Sequence, residues 1–442
     1  MTKHKLITVP SLILGLLVGV CALQTGTAHA SASACPTTSL RSAVSSNTVY
    51  VDGASTVCTA ADVNARYPAM VVKQANSVYL VKVNLKLTNG ATFQAIGTSA
   101  GGDTDQLRLL SDNTSTINIT ADWGEVNLQN TAVTSWDEAK NGPDTDYTGQ
   151  RAFVRVRSSF VNGQALTSRM DIVNSDVGYL GYYAAESYGL AWKVLGGNYA
   201  SVDVLGNITG SRIHHNYFGV YTYGAFGMQI NGNEFDHNAK YGLDPHDDSD
   251  SLTITNNRSH DNGNHGIICS QRCDHLVISG NESYNNVGHG IMLHRSTDFN
   301  LVENNNVHNN TDTGIALFES NNNTVRGNTV TGNKHGIRLS VGSSNNRFKN
   351  NTVVGSTSYG IYTYKGSDAP ARPGNDGINR GNTWSGNAVK ATGSKIMKLG
   401  ATDQDAFTSN DFRGNPGVGF DLKGATETTY TSNQTDPGIK LP

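Results

Sequence analysis

The sequence predicts an all-β chain, a right-handed parallel β-helix solenoid with coils of about 22–24 residues, and three observations carry that expectation. Gly219, Gly242, Gly266, Gly290, Gly314, Gly336 and Gly360 recur at intervals of 23, 24, 24, 24, 22 and 24 residues. A second register runs in phase: Ile208, Ile230, Ile254, Ile278, Val302, Val325 and Phe348, each followed three residues later by Ser211, Asn233, Asn257, Asn281, Asn305, Asn328 and Asn351. Between these markers lie short segments of period-two apolarity, separated by Asn/Gly turns that tolerate left-handed backbone. A leucine-rich repeat would need a leucine framework, which the repeats lack.

Taken in order, residues 1–30 read as an export leader: Lys3, His4 and Lys5 precede an apolar run from Leu12 to Leu23, and Ala28-His29-Ala30 offers a cleavage site. The run falls short of the ~20 residues a bilayer span needs, so the processed chain is expected to be secreted or extracytoplasmic, with no membrane contact. Residues 31–165 are expected to form irregular β coils or a cap, with strand-like runs Val78–Val83 and Ala152–Val156. Cys35 and Cys58 are expected to pair in an oxidising compartment, while Cys269 and Cys273 suit a bridge or buried thiols better than zinc. Residues 166–365 form the regular β-helix with the groove. Residues 366–442, opening Pro/Gly/Asp-rich with weak repeats, form C-terminal coils or a cap that covers an aggregation-prone edge.

Stacked coils turn equivalent positions into columns about 4.8 Å apart. After each anchoring glycine the first residue (Val220, Leu243, Ile267, Ile291, Ile315, Ile337, Ile361) is apolar and points inward, and the third follows it by two-residue alternation. The second and fourth positions then face out. They include Tyr221, Asp244, Met292, Arg338 and Tyr362 in one column and Tyr223, His246, His294 and Phe318 in the other. So aromatic and titratable a surface suits a ligand groove. Eleven of the thirteen histidines lie between His214 and His335. The formal net charge is −3 and no Lys/Arg-rich run occurs, which argues against nucleic-acid binding; a polyanionic ligand would need a local basic groove.

One segment breaks its columns: Tyr241-Gly242-Leu243-Asp244-Pro245-His246-Asp247. Proline inside a strand forfeits a ladder hydrogen bond, a cost tolerated mainly at edges and functional sites. Asp244 and His246 share the outward face, and a carboxylate beside an imidazole can fix its tautomer and leave the other nitrogen free to take a proton. With no chemistry at work, Asp244 and Asp247 would cap turns and His246 would be an exposed ladder residue.

This heptad, with His265-Gly266-Ile267-Ile268-Cys269-Ser270, Gly290-Ile291-Met292-Leu293-His294-Arg295, Gly314-Ile315-Ala316-Leu317-Phe318-Glu319-Ser320 and His335-Gly336-Ile337-Arg338-Leu339, resembles the mannuronan C-5-epimerases that act on alginate. Ser135-Trp136-Asp137, Tyr179-Leu180-Gly181-Tyr182 and Ser187-Tyr188-Gly189-Leu190 extend the likeness to roughly residues 130–365. The resemblance implies a right-handed parallel β-helix that epimerises β-D-mannuronate to α-L-guluronate at C-5 in an anionic polysaccharide. It implies His246 as base, Asp244 orienting it or holding the substrate carboxylate, and Tyr241 beside them, with a tyrosine or water returning the proton. The family's periplasmic branch neutralises the carboxylate with an arginine immediately after the serine of the following coil. Here Gln271 fills that slot and Arg272 comes one residue late, so Arg272 serves if a bulge brings it onto the face, and Arg295 otherwise.

Tyr221, Tyr223, His265, His294, Arg295, Glu319 and Lys193 are the expected substrate contacts; exposed surface residues and ladder stacking are their plainer alternatives. No metal or cofactor is expected, and the nonapeptide Gly/Asp calcium repeats of some extracellular alginate epimerases are absent. A monomer is expected. Two other outcomes fit the same residues: a polyuronate lyase, in which the same intermediate expels the 4-linked sugar, and a non-catalytic carbohydrate-binding β-helix.

Overall fold

The computed structural model describes residues 35–112 and 116–442, so the expected leader lies outside the described residues. The chain winds as a right-handed parallel β-helix, almost every strand pairing in parallel with its equivalent one coil on. Along the groove sheet the order is Gly189–Val194, Phe218–Tyr223, Leu243–His246, Ile267–Ser270, Ile291–His294, Thr313–Phe318, His335–Ser340, Tyr359–Tyr364 and Lys395–Leu399.

The glycine column exists because coils meet there. A Cβ on Gly219 would lie 2.1 Å from the Gly242 carbonyl oxygen, and one on Gly242 2.2 Å from Ser259 Oγ. Inside, first- and third-position side chains such as Leu243, Ile267, Leu293, Leu317 and Leu339 are fully buried in one core running from Leu40 to Phe412. At one turn, Asn233, Asn257, Asn281, Asn305, Asn328, Asn351, Asn387, Asn410 and Asn433 form a ladder. Each amide nitrogen donates to the next amide oxygen at 2.9–3.0 Å. Because each also donates to a backbone carbonyl, as Asn281 does to Ile254 O, the buried amides are satisfied along the whole stack.

The flanks are more regular than the sequence suggests. A helix, Ala60–Arg66, closes the first coils behind a Thr59/Asp62 capping box, and the Cys35–Cys58 disulfide is formed beside it. The long strands Asn84–Ile96 and Asn118–Gln129 pair in parallel, and parallel pairing continues across residue 165, Val154 with Leu190, and across residue 365, Ile361 with Met397. Cys269 and Cys273 are separate buried thiols, not a bridge. Among the described residues no helix is long and apolar enough to cross a membrane.

Candidate functional site

The outward columns face the groove as expected, yet much of their surface is occluded by neighbouring side chains. Ile268, Met292, Ala316 and Phe318 form a small apolar cluster outside the main core, with Tyr241 packed against it. This apolar floor runs between histidines, with His265 and His289 on one side and His294 on the other. Only some of the eleven histidines belong here: His214, His237, His260 and His308 line a different sheet and pair with Asp176, Asp236, Asp261, Glu234 and Glu282, and His215 stacks on His237 beside them.

Pro245 interrupts the ladder as its chemistry requires. Leu243 pairs with Ile267 and His246 with Ser270, while Asp244 and Pro245 have no partner in that next strand. The strand ends at His246, and Ser249 fastens the turn by donating to His246 O at 2.7 Å. His246 Nδ1 lies 2.9 Å from Asp247 Oδ2, which makes Nδ1 the protonated nitrogen and leaves Nε2 with the lone pair on a side chain 26% exposed. Burial pulls this imidazole's pKa down, but the Asp247 hydrogen bond and the charges of Asp244 and Asp247 outweigh it, so the pKa is raised. The ring stacks at 6.1 Å on Tyr223 and sits 5.6 Å from Tyr221.

Asp244 is therefore not the group that orients His246; Asp247 is, because the strand ends at 246 and the turn swings the next side chain back against Nδ1. Asp244 is buried on the groove floor, and its Oδ1 has no hydrogen-bond partner among the described residues. Burial pushes its carboxyl up to about 7, a rise that the His246 charge opposes. Tyr221 and Tyr241 lie close enough for the Asp244 charge to push their phenols up too, after burial itself; Tyr241 reaches about 12 and keeps its proton at neutral pH.

Arg272 reaches the site without a bulge. The strand stops at Ser270, and Gln271 and Arg272 both take left-handed backbone (φ 66° and 57°), turning the guanidinium back one coil. There it donates to Asp247 Oδ1, and through Nε to Asp248 Oδ2 at 3.0 Å, while the side chain stays 49% exposed. The result is a chain from His246 through Asp247 to Arg272. Lys193 stands two coils the other way, 4.6 Å over the Tyr223 ring and 2.9 Å from Glu186, which Arg155 and Arg157 also approach. Arg157 also donates to both oxygens of Asp122 (2.7 and 2.8 Å), which Lys86 approaches at 3.3 Å, so four cations stand against two carboxylates and this end of the groove is basic even though the whole chain is not.

Two expected contacts belong to the scaffold. Glu319 is fully buried and accepts from Ala371 N (2.9 Å), Arg372 N (2.7 Å) and the Asn375 amide (3.0 Å), which pins the segment following the Tyr359–Tyr364 strand. Arg295 turns to that same segment, 3.3 Å from Asp368 and 3.9 Å from Glu319, so it is held away from His246. His265 stacks between Tyr241 (5.4 Å) and His289 (4.6 Å), and His294 lies 4.8 Å from Phe318; burial lowers both imidazoles to about 4, leaving them neutral. Sequence reasoning missed Asp247 as the orienting group, although its place directly after the histidine was the available signal. It also missed the ring cluster of Tyr188, Tyr217 and Phe218 that extends the groove past Tyr221.

A family model described as right handed beta helix region matches residues 268–394, and one described as periplasmic copper-binding protein (NosD) matches 193–319. A mannuronan C5-epimerase of Pseudomonas fluorescens is 32% identical over 138 residues, 30% of this chain and 25% of that one. Mannuronan C5-epimerase AlgG of Azotobacter vinelandii is 30% identical over 184 residues, 41% of this chain and 32% of that one. The chain thus spans about a quarter to a third of the length of these curated relatives. The crystal structure of the periplasmic alginate epimerase AlgG superposes with a TM-score of 0.68 at 23% identity, covering 88% of this chain and 85% of that one, which shows the shared fold.

Proposed function

We propose that the chain is an exported C-5 epimerase of a mannuronan-type polyuronate, with His246 as the base. The observation that carries this reading is the imidazole held through Nδ1 by Asp247 in a groove lined by aromatics and bounded by Arg272 and Lys193. The partial matches to epimerases support it, and the expected leader together with the Cys35–Cys58 disulfide supports a secreted or extracytoplasmic location. The polymer is the only partner assigned, and the protein acts as a monomer without a metal cofactor.

The proton on C-5 is adjacent to the uronate carboxylate, and its removal needs that carboxylate neutralised so an enolate-like intermediate is accessible; each preorganised donor is worth roughly 3–4 kcal/mol. Arg272 and Lys193 supply positive charge, and Asp244, poised at about 7, can donate from its protonated form to the carboxylate. His246 Nε2 takes the proton, and the raised pKa sustained by Asp247 makes it the stronger base. Tyr241, still protonated, returns a proton to the opposite face. Breakage of the 4-linked bond at the intermediate would instead make the protein a lyase.

Incubation of mannuronan with the protein in D₂O tests the reading. NMR should show guluronate with deuterium at C-5 and unchanged chain length, and His246→Ala should lower the rate by ~10²–10⁴-fold with polymer binding retained. An unsaturated, ultraviolet-absorbing product would identify a lyase, and full activity of the variant would remove His246 from the mechanism.

A further inference from the structure

On a second sheet, apart from the groove, two histidine nitrogens are aimed at each other. The strands Asp176–Gly178, Arg212–His214 and Glu234–Asp236 pair in parallel there, and each is followed by a left-handed residue: Tyr179, His215 and His237 (φ 61°, 53° and 54°). These three rings stack in a column, Tyr179 on His215 at 4.8 Å and His215 on His237 at 5.1 Å.

His214 Nδ1 lies 2.9 Å from His215 Nδ1, with the rings at 87°. Neither nitrogen can approach the other so closely without a proton between them, whichever ring supplies it. Asp176 Oδ1 stands 2.9 Å from His214 Nε2, which places a proton on that side of the ring and leaves Nδ1 of the neutral imidazole with its lone pair. Burial, then the charges of His214 and His237, pull the His215 pKa down to about 4, so that ring too is neutral at neutral pH. The nearby cation is already matched: Arg212 donates to both oxygens of Asp236 (2.9 and 2.8 Å), which also meets His237 Nδ1 at 2.8 Å.

The His214 imidazole has a space kept for it. Gly178 is its ladder partner one coil back, and a Cβ there would lie 2.5 Å from Cε1 and 2.9 Å from Nδ1 of the ring. His214 is buried, His215 half-buried and His237 exposed, so an ion approaches the pair from the His215 side.

A carboxylate that grips the far nitrogen of an imidazole while the near nitrogen faces another ligand is the arrangement that surrounds metal-bound histidines. Two nitrogens held at ~2.0–2.1 Å by a tetrahedral ion stand roughly 3.3 Å apart, so the rings need to part by only about 0.4 Å from their 2.9 Å spacing. Imidazole suits zinc and its borderline neighbours, whereas calcium and magnesium take oxygen ligands. Among the described residues no group of three or more His, Cys, Asp or Glu side chains gathers for a metal, so water completes the shell.

We propose that His214 and His215 bind a divalent cation of the zinc type through their Nδ1 atoms, in place of the proton between them, with Asp176 holding the far side of His214. His215 then carries its single proton on Nε2, so both rings stay neutral and no proton is lost. The ion sits on a different sheet from His246 and takes no part in the proton transfers, and its binding is independent of the epimerase reading.

Isothermal titration with zinc chloride tests the site in the wild type, His215→Ala, Asp176→Asn and, as a control on the same sheet, His308→Ala. Thermal melting without zinc checks that each variant is folded. His215→Ala should abolish the tightest zinc site, Asp176→Asn should weaken it by ~10–100-fold, and His308→Ala should leave it unchanged. X-ray absorption of the zinc-loaded wild type needs no variant, and should show two imidazole nitrogens at ~2.0 Å with oxygens completing the shell. A wild type that binds no zinc, an isotherm unmoved in folded His215→Ala or Asp176→Asn, or a shell containing sulfur or a single imidazole overturns the proposal.

Discussion

Asp244 and Asp247 stand three residues apart and are pushed in opposite directions. Burial would raise both, but Asp247 carries the His246 hydrogen bond and the Arg272 guanidinium and ends below the usual carboxylate range, while Asp244 rises to about 7. A carboxyl whose folded pKa exceeds its unfolded value contributes stability that is fully present below the unfolded pKa, near 3.8, and is lost as pH rises through about 7. At about 1.4 kcal/mol per unit, Asp244→Asn should stabilise the fold at pH 8 by on the order of 2–4 kcal/mol and do little at pH 4, which urea unfolding at the two values measures. The same variant should lose most activity and with it any decline in rate between pH 6 and 8. Equal stabilisation at both pH values would show that Asp244 is ionised in the fold. The segment that carries His246 was legible in the sequence as a candidate site because Asp-Pro-His breaks the columns around it. The orienting acid was not, because two-residue alternation pointed to Asp244, and only the end of the strand at His246 hands that task to Asp247.

At the scale of the coil, the glycine period was readable because a Cβ would strike the neighbouring coil, leaving one residue type in the column. The coil after Gly360 escaped that reading. It carries extra residues between the strands Tyr359–Tyr364 and Lys395–Leu399, and those fold back onto Glu319 and Asp298 instead of extending a column. The later coils looked weak in the sequence for a similar reason: Asp405 stands where one ladder of asparagines would continue, accepting from Asn382 N at 2.8 Å, and the geometry is kept. Glu319 was read as a sugar contact because it lies on a coil flanking the site, but its backbone is left-handed (φ 47°) and its carboxylate meets the returning segment. Glu319→Gln replaces a charged acceptor of two backbone N–H groups with a neutral one, a loss of about 1–2 kcal/mol. Proteolysis around residues 366–378 should quicken several-fold while the activity proposed above stays within about twofold. A large fall in activity with the segment still protected would return Glu319 to the substrate.

Across the whole molecule, coupling passes through nearest neighbours, since each coil pairs with the one before and the one after. The first coils have neighbours on one side only, and there the helix Ala60–Arg66 and the Cys35–Cys58 disulfide compensate. The bridge spans 23 residues, a loop for which the chain-entropy model gives about 3 kcal/mol. Cys35→Ala removes the cross-link and leaves Cys58 as a small buried hydrophobe paired with Phe93 in the strand Asn84–Ile96. Because that stability belongs to the first coils, amide exchange should accelerate over residues 40–96 and fade within the next coils. The strands from Gly189–Val194 to His335–Ser340, which hold His246, should keep their protection, and turnover of mannuronan should be unchanged at 25 °C. Faster exchange at Val220 and Ile267 would mean instead that the continuous core from Leu40 to Phe412 opens as one cooperative unit, with the cap helping to set the stability of the groove.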